Sequence, residues 1–186
     1  VLSKCSYYAE LKAFIFGSVD RSVIELKGSL GRTLITGFHG IGFVGFIAVD
    51  YMVRKLKAEK VGWAYMEDMP AVVFVDEDGF EMPVEFYRLG NLSFMKVNVI
   101  MEREVMNRFV REMLKELRGE IDEVIVIGGL AIERKGVYGV SNSFGEGLLE
   151  KLKLRRPRRD ITVFGPMASM MIYGEEVEIP VVCILS

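Results

Sequence analysis

The chain has no glutamine and only four asparagines, at 91, 98, 107 and 142. Avoidance of thermolabile amides beside abundant Glu and Lys is a thermophile habit, and it carries no information about function. Histidine is almost missing too, since His39 is the only one in 186 residues. That excludes a two-histidine zinc motif. A Ser-His-Asp relay would have to use His39 as its base, and no G-x-S-x-G elbow accompanies it. The two cysteines, Cys5 and Cys183, match no metal or redox spacing, so a reducing cytoplasm is the simplest home. No apolar run reaches the roughly 18 residues that cross a bilayer. The apolar stretch 13–17 falls short of a signal-peptide core of about 7–15 residues. A charge imbalance is also lacking: 24 basic against 26 acidic residues leave a net charge of −2. Whole-chain charge therefore gives no reason to expect nucleic acid or an anionic membrane.

What is present is a globular composition, 51% hydrophobic and 27% charged. Strand-like runs at Ser22–Lys27, Thr33–Phe38 and Val61–Met66 alternate with a helical pattern over Val44–Leu56. Asp76-Glu77-Asp78-Gly79 sits between Ala71–Val75 and Val84–Tyr87, which predicts a β-hairpin joining those two runs. Leu92–Met101 reads as a further strand. Glu102–Leu117 is an amphipathic helix, with Val105, Phe109, Met113 and Leu117 on one stripe. Glu123–Leu130 is uninterruptedly apolar after its first residue, as a central parallel strand covered on both faces would be. A short strand at Val137–Val140, helices at Phe144–Leu152 and Ala168–Tyr173, and a last strand at Pro180–Leu185 complete the pattern. The expected architecture is a single α/β domain over 1–186, with 1–21 as an N-terminal extension. It would be three-layered, α/β/α, with a mostly parallel central sheet and an inserted hairpin.

The densest motif is Thr33-Leu-Ile-Thr-Gly-Phe-His-Gly-Ile-Gly-Phe-Val-Gly45, a strand that runs into glycines and then into a helix. Gly40, Gly42 and Gly45 spell G-x-G-x-x-G. In a dinucleotide site such glycines let the backbone approach a pyrophosphate that faces a helix N-terminus. Glu67 and Asp68 follow the next strand, about 20 residues on, where a ribose-binding carboxylate belongs. In the other reading the glycines only permit a tight turn and close packing of helix on sheet. His39, inside the loop, could cap a ligand or a partner, or be a partly exposed loop residue without chemistry. The carboxylates of Asp76, Glu77 and Asp78 fit a solvated hairpin tip. Lys151, Lys153, Arg155, Arg156, Arg158 and Arg159, interrupted by Pro157, form a basic run without interleaved aromatics, which fits a solvated helix end better than a nucleic-acid groove. Met167-Ala-Ser-Met-Met-Ile-Tyr173 is a soft patch suited to core packing or to a subunit interface.

Gly37-Phe-His-Gly-Ile-Gly-Phe-Val-Gly45 resembles the G-F-x-G-I-G-x-V-G opening of the archaeal and bacterial relatives of proteasome assembly chaperone 2. Ala48–Val53, Val61–Tyr65, Met69–Val75, Asp78-Gly79, Val124–Leu130, Val137–Val140, Tyr173-Gly174 and Ile179–Cys183 are similar to later parts of that family in the same order. The resemblance implies a fold like that of purine nucleoside phosphorylases, without their catalytic residues. It implies a homo-oligomer, trimer or tetramer, and a chaperone or adaptor role with proteasome subunits as possible protein partners. No cofactor and no metal are expected. Some members carry the label of ATP-grasp relatives, but no lysine-bearing phosphate loop supports it here. Some carry a docking tail ending hydrophobic–Tyr–any residue, which Ile184-Leu185-Ser186 does not match. Gly37, Phe38, His39, Gly40, Ile41, Gly42 and Gly45, with Met167, Met170 and Met171, would then serve as a structural turn or an interface. The alternative remains a nucleotide- or nucleoside-binding enzyme using Gly40, Gly42, Gly45, Glu67 and Asp68.

Overall fold

A computed structural model of the chain describes residues 22–76, 79–130, 136–157 and 161–186. The extension 1–21 with Cys5, and Glu77, Asp78, Arg158 and Arg159, lie outside the described residues. In chain order the elements are β1 (Ser22–Leu26), β2 (Thr33–Gly37), α1 (Val44–Leu56), β3 (Glu59–Met66), β4 (Phe74–Asp76), β5 (Gly79–Glu81), β6 (Val84–Leu89) and β7 (Leu92–Val97). They continue with α2 (Arg103–Glu116), β8 (Glu123–Gly128), β9 (Tyr138–Ser141), α3 (Glu146–Lys151), α4 (Pro166–Glu176) and β10 (Val181–Leu185).

Eight strands form one sheet in the order β1-β3-β6-β7-β2-β8-β10-β9. Its centre, β7-β2-β8-β10, is parallel throughout, and β3 runs in the same direction. β1, β6 and β9 run the other way. The period of two along each strand divides the core into two layers. Leu34, Val124, Val126, Val181 and Cys183 face one layer, which α2 and α4 cover. Ile35, Phe94, Ile125 and Val182 face the other, which α1 and α3 cover. Burial on both faces is why β8 and β10 read as apolar runs without alternation. The thiol of Cys183, sealed in the first layer, is pushed up to about 12 by burial. Each fully buried Phe, Leu or Met side chain here contributes about 1.5–3 kcal/mol of hydrophobic stabilisation.

The expected hairpin exists, but with different strands. β4 pairs with β5 as a separate two-stranded ribbon, Val75 opposite Phe80. Val84–Leu89, expected to be its second arm, pairs instead with β3 and β7 in the main sheet. The reason is local: Pro83 separates the two segments, and Gly90, with φ of 59°, makes the tight turn that folds β6 onto β7. β7 stops at Val97 rather than at Met101, and the short segment 161–164 forms no strand. α4 is longer than expected. It starts at Pro166, whose fixed φ suits the first helical position, directly after Gly165 at φ 67°.

Candidate functional site

β2, β8 and β10 are parallel and end at one edge, where open α/β sheets place their ligands. Three connections meet there: the loop after β2, Gly128-Gly129 after β8, and Gly165–Met167 at the start of α4. They enclose a cavity of about 160 Å³. Phe38, Ile127, Leu130, Val163, Pro166 and Leu185 wall it, with His39 at its margin. The lining is dominated by hydrocarbon.

The glycines of the loop divide into three kinds. A Cβ on Gly37 would overlap the backbone of Gly45, and one on Gly45 would overlap the carbonyl oxygen of Ile127. These two residues therefore bring α1 hard against β2 and β8. Gly42 holds φ at 63° inside a single 3-10 turn, Ile41–Phe43, that leads into the helix. Gly40 has an extended φ of −130° and open space where a Cβ would be. At the same edge a Cβ on Gly129 would overlap the carbonyl oxygen of Ile41, which fastens the loop to the end of β8.

His39 stacks on Phe46, with ring centroids 4.2 Å apart, and meets Phe43 edge-on. Its Nδ1 is buried without a hydrogen-bond partner among the described residues. Burial lowers the imidazole below its ordinary pKa of 6.5, so the ring is neutral at pH 7. Ile41, which also lines the cavity, and Phe43 are partly exposed, at 41% and 47%. The loop thus offers hydrocarbon outward, beside a neutral aromatic stack.

Glu67 and Asp68 do lie beyond the end of a strand at this edge, but that strand is β3. β6 and β7 stand between it and β2. Three strand spacings amount to about 14 Å. The acidic pair and the glycine loop are therefore not brought together, as adjacent strands would bring them in a dinucleotide fold. Asp68 is engaged in an ion pair with Arg108 of α2. From the basic run, Arg156 pairs with Glu146, and Lys151 approaches Glu123 at 3.8 Å. Met170 is fully buried, while Met167 and Met171 are half-buried against the same core layer. Among the described residues, no three of His, Cys, Asp or Glu are grouped as metal ligands, and no helix is long and apolar enough to cross a membrane.

Sequence reasoning missed a charged cluster on the α1 side of the sheet. Lys96 of β7 is 2% exposed. Its Nζ donates to both carboxylate oxygens of Glu81, at 2.7 and 2.9 Å, and lies 2.9 Å from Asp50 of α1. Burial pushes the Asp50 carboxyl up, but hydrogen bonds from Lys96 and Arg54 outweigh it and hold the pKa below the ordinary value. Next to this cluster Glu85 of β6, fully buried, accepts from Tyr87 at 2.6 Å and pairs with Lys60. The available signal was a lone charge at an inward position in each of two apolar strands.

The PAC2 family matches residues 34–186. The chain belongs to the PAC2 family. A curated relative of this PAC2 chain, the uncharacterized protein MJ1210 of Methanocaldococcus jannaschii, is 27% identical over 191 residues, covering 92% of this chain and 71% of the relative. In fold, the chain is similar to PbaA of Pyrococcus furiosus, described as an archaeal homolog of proteasome-assembly chaperone. The TM-score is 0.77 at 18% identity, over 89% of this chain and 75% of PbaA. It is also similar to PbaB of the same organism, described as an archaeal proteasome activator, with a TM-score of 0.69 at 17% identity over 88% of this chain and 79% of PbaB. Both likenesses are of fold.

Proposed function

We propose that the chain is a non-enzymatic, homo-oligomeric scaffold or chaperone-like protein that acts by protein–protein recognition, with proteasome subunits as its partner. One observation carries the reading. The loop after β2 spends Gly37 and Gly45 on packing the helix against the sheet and leaves Ile41 and Phe43 partly exposed. An apolar loop beside a neutral histidine suits a protein surface better than a phosphate. Membership of the PAC2 family supports the reading, and so does the fold shared with PbaA and PbaB. The proposal extends to a single domain over 1–186, a purine nucleoside phosphorylase-like topology and a cytoplasmic location.

The test is affinity capture from the native lysate with the full-length chain as bait. Proteasome subunits should be recovered in stoichiometric amounts. A bait that retains other proteins and no proteasome subunit would overturn the choice of partner. The rival reading, a nucleotide- or nucleoside-binding enzyme, draws support from the position of the cavity at the carboxyl edge of the parallel strands.

A further inference from the structure

The cavity at the carboxyl edge of β2, β8 and β10 is defined by its size and by its chemistry. At about 160 Å³ it is well below the roughly 300 Å³ at which sites for drug-sized ligands begin, so it is too small for a nucleotide. A protein cavity of about 150 Å³ lined by Leu, Ile and Phe stays dry and binds benzene. This one is of that size, and its lining is of the same kind.

The polar groups along its wall are engaged within the fold. The Gly128 carbonyl accepts from the N–H of Ser186 at 3.1 Å, and the Leu130 N–H donates to the Ser186 carbonyl at 2.9 Å. The Gly165 carbonyl accepts from the N–H of Ser169 at 3.1 Å, and the Gly40 carbonyl from that of Phe43 at 3.0 Å. Among the described lining residues, only Thr162 and His39 carry a polar side chain, and none is an acid, a lysine or an arginine. A charged ligand would lose its hydration there without replacement.

Two features favour an aromatic ring over an aliphatic chain. Phe38 and Phe164 both line the cavity, the first 4% and the second 66% exposed, so one ring lies inside and the other at the mouth. The Sδ of Met167 occupies the place that a Cβ on Gly128 would need, which sets a thioether in the wall. Aromatic rings pack well on one another, and sulfur makes favourable contacts with their edges. The unbranched Met167 can also adjust to the outline of a ring.

We infer that this cavity is a binding site for a small, neutral, single-ring aromatic molecule, held by Phe38, Phe164 and Met167. The site stands whether or not proteasome subunits are the protein partner.

Toluene is the probe, in thermal unfolding of the full chain in sealed cells. Millimolar toluene should raise the melting temperature by about 2–4 °C. Benzoate, the same ring carrying a charge, should leave it unchanged. With the methionine methyl groups labelled with carbon-13, the Met167 resonance should shift on addition of toluene, while that of Met113, buried in the core on α2, stays in place. Val163→Phe, which enlarges a lining side chain, should abolish both effects. An absence of stabilisation by toluene, or equal stabilisation by benzoate, would overturn the ligand class. Stabilisation that moves Met113 and leaves Met167 unmoved, or that persists undiminished in Val163→Phe, would overturn the site. The methyl shifts are read in the parent chain, so they decide the site even if Val163→Phe does not fold.

Discussion

At Gly45 there is no room for a methyl group, because the carbonyl oxygen of Ile127 and the Cα of Gly37 occupy the space. At Gly40 the space is empty and the backbone is extended. Two substitutions with the same chemistry should therefore differ. Gly45→Ala forces backbone against backbone and should destabilise by about 1–3 kcal/mol or more, lowering the melting temperature by about 2–4 °C for each kcal/mol. Gly40→Ala should stay within about 0.5 kcal/mol of the parent. Thermal unfolding of the two variants checks this, and equal effects would refute the division of labour among the glycines. The motif itself was legible in the sequence, and so were its two readings. Which glycine does what was not. The spelling G-x-G-x-x-G treats Gly40 and Gly45 alike, whereas the neighbours that distinguish them come from β8, more than 80 positions along the chain.

Among the elements, the strands and helices that pack on both faces were the most legible. α1 was expected over Val44–Leu56 and forms over those residues. β8 was expected as a buried parallel strand and pairs in parallel with β2 and β10. The insertion was less legible, because a Asp-Gly turn signal cannot say which of two later strands answers β4. That choice was made by Pro83 and by the Gly90 turn. The charged cluster of Lys96, Asp50 and Glu81 fixes where the ribbon stands, and its removal should be costly. Lys96→Met removes the ammonium that Asp50 and Glu81 share, while Arg54 still lies 3.0 Å from Asp50 and 3.9 Å from Glu81, so the loss should be about 1.5–3 kcal/mol, that of charge-assisted hydrogen bonds. The Asp50 pKa is held below its ordinary value in the folded chain. Its stabilisation is therefore present above the unfolded-state pKa near 3.8 and is lost as the pH falls through the folded-state value. Asp50→Asn should remove that part of the acid dependence. Urea unfolding of parent and variant along a pH series measures it. An unchanged acid limb in Asp50→Asn would show that the cluster contributes nothing.

For the whole molecule, the decisive question is what the glycine-lined edge accepts. The edge carries hydrocarbon and one neutral imidazole, and Glu67 and Asp68 stand three strand spacings away. A thermal-shift series with NAD, ATP and nucleosides should leave the melting temperature unchanged. Stabilisation by several degrees with one of these ligands, lost in Gly42→Val, would establish the rival nucleotide reading. The two layers of core also differ in kind. Met66, Met69, Met95, Met101, Met106, Met113 and Met170 all lie in the layer under α2 and α4. Flexible thioethers fill that irregular space, whereas β-branched residues dominate around α1.

The sequence by itself determined the alternation of strands and helices, the doubly covered centre of the sheet and the glycine-rich turn. These follow from the periodicity of apolar residues and from the φ angles that glycine and proline permit, and both are local properties. The tertiary structure alone decided the strand order that parts Glu67 and Asp68 from the glycine loop. It also decided the pairing of Lys96 with Asp50 and Glu81, and the enclosure of an apolar cavity by three separate connections. Each of these depends on which distant segments meet, and hydrophobic burial settles that over the whole chain at once.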